Sequence, residues 1–181
     1  MLRFTETITD KQVMVLADAK PGTIFRFADT SSIFMEASSD VPGLYLVIGK
    51  ASTNETYILP LDTKGGILKR KDVRRIISYP GEIRPTQPKM KKVHLRDAAP
   101  GTIVRLAPEN NRPSVSAEEL GAMEQTPAYI VIGAVQNNRV PVAPINFDQK
   151  DPWVSSPEMD DDIMVINYEC GVVIPMGIAT S

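Results

Sequence analysis

The sequence predicts a mainly β protein built from two tandem, homologous small antiparallel modules, each a barrel or sandwich of the SH3-like or OB-like kind. Three observations predict this class: an internal repeat, short apolar segments separated by frequent turn signals, and a single helical signal in the second copy. The expected organisation is β module 1 over residues 1–85, a proline-rich linker over 86–91 and β module 2 over 92–181.

The repeat is clearest around a Pro-Gly turn. Residues 15–28 read VLADAKPGTIFRFA, and 79 positions later residues 94–107 read HLRDAAPGTIVRLA. Residues 44–49, LYLVIG, return as AYIVIG at 128–133. The offset between the copies grows along the chain, which places one insertion between Ala107 and Tyr129 and another between Ile145 and Ile163.

Near the end of each copy, the alignment matches Asp72 with Asp162. By the same alignment, Arg74 and Arg75 correspond to Met164 and Val165.

Each copy predicts four or five short strands. The Pro-Gly turn leads into a strand over residues 23–28, with alternate side chains on opposite faces. The continuous apolar run at 44–48 predicts a central strand that is covered on both faces. Further strands are expected at 57–61 and 73–77.

One helix is expected, and it lies in the first insertion. Ser116 and Glu119 have the spacing of a capping box and predict a helix over residues 117–123. Module 1 has no counterpart of this signal. The segment 84–89, RPTQPK, predicts a proline-stiffened connection between the modules.

Catalytic chemistry lacks the residues that it needs. His94 is the single histidine and Cys170 the single cysteine, and phosphate-loop, dinucleotide-binding and HExxH patterns are absent from the sequence. Consecutive aspartates at 160–162 point in alternating directions and converge poorly on one ion. We therefore expect a non-enzymatic protein with no catalytic residue, cofactor or metal.

Composition predicts a soluble, cytoplasmic protein. The chain is 43% hydrophobic and 23% charged, with a formal net charge of −2. No stretch approaches the roughly 18 to 20 apolar residues that a membrane-spanning helix needs. The N-terminus lacks the pattern of a secretory signal, and a lone cysteine suits a reducing compartment.

Charge is distributed unequally between the copies. Residues 1–90 contain 13 Lys or Arg and 10 Asp or Glu, whereas residues 91–181 contain 7 and 12. The excess is concentrated in two stretches that the repeat makes equivalent. The basic segment contains Lys69, Arg70, Lys71, Arg74 and Arg75; the acidic segment contains Glu158, Asp160, Asp161 and Asp162. Trp153, on a proline-flanked insertion loop, is a further candidate contact residue.

These features predict a protein-binding or assembly protein that contacts itself or another protein and does not bind membranes. Oppositely charged surfaces suit head-to-tail association between copies. The compact, duplicated chain has the general look of a bacteriophage accessory or virion component. The alternatives are nucleic-acid binding through residues 69–75 and the binding or sequestering of a small ligand.

Overall fold

Two antiparallel sheets make up the protein in a computed structural model that describes residues 3–5, 12–28, 43–61, 66–79, 82–145 and 158–173. In the first half the strands are β1 Arg3–Thr5, β2 Gln12–Val15, β3 Ile24–Phe27, β4 Tyr45–Ser52, β5 Glu55–Pro60, β6 Leu68–Lys71, β7 Arg75–Tyr79 and β8 Glu82–Pro88. The second half contains β9 Val93–His94, β10 Ile103–Leu106, helix α1 Ala117–Met123, β11 Tyr129–Val131, β12 Arg139–Pro144, β13 Glu158–Asp160 and β14 Met164–Val173.

The two sheets have the same strand order. The first runs β2-β7-β3-β4-β5-β6, and the second runs β9-β14-β10-β11-β12-β13. The far half of β14 extends beyond this pattern, where it pairs with β8 and, in parallel, with β1. The repeat in the sequence is therefore a repeat of one six-stranded topology.

The same type II turn precedes β3 in the first copy and β10 in the second. Thr23 N–H donates to the Lys20 carbonyl at 3.0 Å, and Thr102 N–H donates to the Ala99 carbonyl at 3.0 Å. The glycine at the third position has a φ of 89° at Gly22 and 87° at Gly101. This turn type requires a positive φ at that position, so both glycines are needed for their backbone conformation.

The predicted closure into SH3-like or OB-like barrels is wrong, because both sheets are open. Their facing sides pack together and form one apolar core. The first sheet contributes Ile24, Leu46 and Leu59, and the second contributes Ile103, Ile130 and Ile166, all fully buried. Each sheet therefore covers the inner face of the other, and neither has to close on itself to bury that face.

The outer face of each sheet is covered by its own short 3₁₀ turn. Leu16, from residues 16–18, packs with Phe25 and Ile76 on the first sheet. Leu95, from residues 95–97, packs with Val104 and Val165 on the second. Burial on both faces explains the continuous apolar run of β4 that the sequence shows.

Strand pairing corrects the alignment at the end of the repeat by one residue. Ile24 lies opposite Tyr79, and its equivalent Ile103 lies opposite Tyr168. The Ala17 amide donates to the Asp72 carbonyl, and the equivalent Arg96 amide donates to that of Asp161. Asp72 therefore corresponds to Asp161 rather than to Asp162. Arg74 and Arg75 correspond to Ile163 and Met164.

β8 and the far half of β14 join the two halves of the chain. Each follows the equivalent strand of its own copy, and they pair antiparallel with Ile83 opposite Val172. Pairing of equivalent segments in this way is the arrangement of an isologous contact, here inside one chain. Part of the predicted linker, residues 86–88, lies in β8. The proposed division into domains stays a prediction.

Helix α1 packs against the shared core through Met123 and Leu120. The predicted capping box is present: Glu119 N–H donates to Ser116 Oγ, and Ser116 N–H donates to Glu119 Oε2. Met123 packs into the core, and the buried Lys92 Nζ holds the inserted loop by donating to Asn110 Oδ1 at 2.6 Å. Within the described residues no helix has the length and apolar character needed to cross a membrane.

Candidate functional site

The two oppositely charged segments include the outermost strands of the two sheets. β6 is the last strand of the first sheet and pairs only with β5 among the described strands. β13 is the last strand of the second sheet and, in the same part of the chain, pairs only with β12. The sequence suggested that these segments were equivalent, but it did not show that both lie on sheet edges.

The basic segment covers β6, the following turn and the start of β7. Lys69 Nζ lies 5.5 Å from the centre of the Tyr57 ring, and Arg70 Nη1 donates to the Lys69 carbonyl at 2.8 Å. Lys71 is exposed and forms no ion pair within the described structure, although Glu55 lies directly opposite on β5. The edge strand thus presents exposed positive charge that forms no ion pair among the described residues.

The rest of the basic segment has other contacts. The guanidinium carbon of Arg74 lies 3.8 Å from the centre of the Phe27 ring, so this side chain packs over an aromatic face. Arg75 begins β7, is exposed, and lies opposite Val15. Between them and β6, Val73 is 79% exposed at the tip of the turn. Only Lys69, Arg70 and Lys71 therefore lie on the free edge itself.

The acidic segment covers β13 and the turn after it. Asp160 pairs with Arg139 on the neighbouring strand, and Arg139 Nη2 also donates to the Glu158 carbonyl at 2.7 Å. Asp161 and Asp162 lie in the turn, where the Asp162 carbonyl contacts His94 Nδ1 at 3.0 Å. Because the side chain of Asp160 keeps 61% of its surface exposed, its charge remains accessible from the edge.

Charge is inverted at three equivalent positions on these edges. Glu55 lies opposite Lys71 in the first sheet, and Arg139 lies opposite Asp160 in the second. The same registers make Lys69 equivalent to Glu158. Each inner strand thus carries the charge opposite to that of its own edge, which reduces the cost of gathering like charges on the edge.

Asp72, which the sequence marked only as a residue shared by the two copies, forms a polar network with two residues that the sequence analysis missed, Lys50 and Thr56. Asp72, buried to 7% exposure, accepts from Thr56 Oγ1 at 2.6 Å and from Lys50 Nζ at 2.6 Å. The sequence repeat places Ala134 and Val140 at the positions of Lys50 and Thr56, so the second copy lacks the side chains of this network. The sequence did contain a signal for this network, because Lys50 and Thr56 are polar where the second copy has the apolar residues Ala134 and Val140.

His94 and Trp153 are the remaining residues that the sequence analysis named. His94 is half-buried and contacts a backbone carbonyl, as a structural residue would. Trp153 lies outside the described residues. Within the described ranges, no group of three or more His, Cys, Asp or Glu side chains is placed to hold a metal ion.

Comparison of the chain with protein-family models, with curated proteins and with solved structures found no match.

Proposed function

We propose that the protein is a non-enzymatic protein-binding and assembly protein that associates through its two charged edge strands. The observation that carries the proposal is that β6 and β13 hold equivalent terminal positions in their sheets and have opposite charge. Two accessible edges of opposite charge support a role in binding other chains, and an assembly role of this kind suits a cytoplasmic accessory protein or a virion component.

Exposed sheet edges bind other strands through backbone N–H and C=O groups that their own sheet leaves unpaired. On β6 and β13 the carbonyls of Lys69 and Glu158 accept from the Arg70 and Arg139 side chains, so an added strand would replace these side-chain donors. A strand added to such an edge gains backbone hydrogen bonds, and the side chains along the edge select which strand is added. Charged residues on an edge also prevent indiscriminate pairing. On β6 and β13 the charges are opposite in sign, so each edge excludes a different set of strands.

The test reverses the edge charges. Lys69→Glu with Lys71→Glu should abolish self-association or the recovery of a protein partner, measured by light scattering and by mass spectrometry of the native complex. Lys89→Glu with Lys91→Glu is the matched control, because it makes the same change in net charge at exposed residues outside the two edge strands. If the edge variant and its control both behave as the wild-type protein does, the proposal is wrong.

Nucleic-acid binding through residues 69–75 is the second candidate. It is favoured by the exposed Lys69, Lys71 and Arg75, and by the nearby Tyr57 ring, because proteins that bind single strands combine positive charge with aromatic surfaces. It predicts that the basic-edge reversal loses retention of DNA or RNA. It also predicts that Glu158→Lys with Asp160→Lys increases that retention, whereas the assembly proposal predicts a loss of association.

A further inference from the structure

We propose that the partner of β6 is β13 of a second copy of this chain, so that copies associate head to tail through one continuous antiparallel sheet. This inference rests on the proposed assembly function and names the partner of the same edges. It requires that β6 of one copy pairs with β13 of another, and that β6 does not pair with β6 nor β13 with β13.

Pairing between identical edges is opposed by charge. Two β6 strands side by side would bring Lys69 and Lys71 of one copy against the same lysines of the other. Two β13 strands would do the same with Glu158 and Asp160. Like charges directly opposite on paired strands are destabilising, and opposite charges are stabilising. Among the three pairings of these edges, β6 with β13 alone is complementary.

The charged side chains of β6 and β13 also lie on matching faces of their two sheets. In β6, Lys69 lies opposite Tyr57, which packs against the shared core, whereas Leu68 packs against the outer cluster of the first sheet. In β13, Met159 packs against the outer cluster of the second sheet, so Glu158 and Asp160 point to the opposite face. The charged residues of both edges are therefore on the face that is turned towards the shared core.

One antiparallel register brings all four charges into opposite pairs. Lys69 lies opposite Asp160 of the second copy, and Lys71 lies opposite its Glu158. Arg70 then lies opposite Met159. Residues directly opposite each other in an antiparallel pair share a face, so this register keeps core-side residues against core-side residues.

The contact is heterologous, because β6 and β13 are different surfaces. An associated pair keeps one free β6, on one copy, and one free β13, on the other, so the assembly continues until it closes into a ring or extends as a filament. The edges are short, four residues in β6 and three in β13. Association should therefore be weak, increase with protein concentration and decrease with added salt.

Variants can be designed that change the sign of one edge and keep an opposite charge on the neighbouring strand. Glu55→Arg, Lys69→Glu and Lys71→Asp give the first edge the charges of the second, and we call this the acidic-edge chain. Arg139→Glu, Glu158→Lys and Asp160→Lys give the second edge the charges of the first, and this is the basic-edge chain. Each variant reproduces a charge arrangement that the other sheet already contains, and thermal melts check that both variants fold.

The experiment compares the average mass of the wild-type protein, of each variant alone and of their equimolar mixture by light scattering. The wild-type mass should rise with concentration. Each variant alone should associate at least roughly tenfold more weakly than the wild type, because both of its edges have the same sign. The mixture should recover wild-type association, because the edges of one chain complement those of the other.

Three outcomes would overturn the inference: a wild-type chain that stays monomeric at all concentrations, a single variant that associates as the wild type does, or a mixture that does not associate. If the wild type is monomeric but the variants lose the recovery of a different protein, the second-copy inference is wrong and the proposed function stands. If the variants change neither association nor partner recovery, both are wrong.

Discussion

Lys71 of β6 and Asp160 of β13 occupy the same position in two sheets of identical strand order, and they carry opposite charges. Each faces a residue of opposite sign on the next strand, Glu55 and Arg139 respectively. The two copies thus retain one backbone arrangement but differ at the edges. This difference is what the proposed assembly depends on.

The first prediction concerns the turn glycines. Gly101→Ala should lower the free energy of unfolding by about 1–3 kcal/mol, because alanine is strained at a φ of 87° even though the space around this glycine is open. Gly121→Ala is the matched control. It also enters open space but lies inside α1, where alanine should stabilise the protein by about 0.5–1 kcal/mol. Chemical denaturation measures both, and equal effects would contradict the assignment of backbone strain to the turn.

The second prediction concerns the buried network. Asp72→Ala should destabilise the protein by about 1–3 kcal/mol, because it leaves the Thr56 hydroxyl and the Lys50 ammonium without their carboxylate partner. We do not expect the larger loss of unfolding free energy that is typical of a fully buried ion pair, because the Lys50 side chain retains 20% exposure. Asp161→Ala, the equivalent change in the second sheet, should alter stability by less than about 0.5 kcal/mol. A comparable loss in both variants would show that the network contributes little.

The third prediction follows from the shared core. Ile24→Ala in the first sheet and Ile103→Ala in the second should each cost about 2–5 kcal/mol, and both should lower the midpoint of one common transition. Differential scanning calorimetry of both variants makes the test. Two separate transitions, each responding to the substitution in its own half, would indicate independent cores.

The fourth prediction is a pH dependence at the start of α1. The Ser116 backbone N–H donates to the Glu119 carboxylate and holds the pKa of that carboxyl below its ordinary value of 4.5. The folded state therefore favours the charged form. This contribution is complete above about pH 4.5 and is lost as pH falls through the lower folded-state pKa.

Glu119→Gln preserves a capping oxygen but cannot titrate. The stability difference between the wild-type protein and this variant should therefore change as pH falls from 6 towards 3, in the direction of lost wild-type stability. Glu118→Gln, which alters the neighbouring exposed residue, serves as the control. A wild-type-minus-Glu119→Gln difference that stays constant with pH would refute the electrostatic role of the capping box.

The sequence predicted local structure well where backbone conformation depends on particular residues. The Pro-Gly turns, the capping box and the face alternation of β3 follow from φ preferences and from the two-residue period of a strand. The repeat also predicted equal strand order. The turns, the capping box and the face alternation depend on neighbours in the chain, whereas the equal strand order follows from the similarity of the two copies and not from any local pattern.

Features that depend on distant pairing could not be predicted. Three successive aspartates at 160–162 offered three possible matches to Asp72, and only strand register selects Asp161. Pro85 and Pro88 suggested a linker, yet they lie in β8, which among the described strands pairs only with β14, and a strand at a sheet edge tolerates proline. The apolar run of β4 indicated burial on both faces without showing that the second copy covers one of them.

Hydrogen–deuterium exchange of the edge strands, measured against protein concentration, tests the central claim most directly. If β6 pairs with β13 of a second copy, the backbone amides of 68–71 and 158–160 should become more protected as concentration rises. Protection should be lost again in high salt, while the amides of β4 and β11 inside the sheets should not respond. Association without any change in exchange at these two edges would contradict the account, because the copies would then meet through another surface.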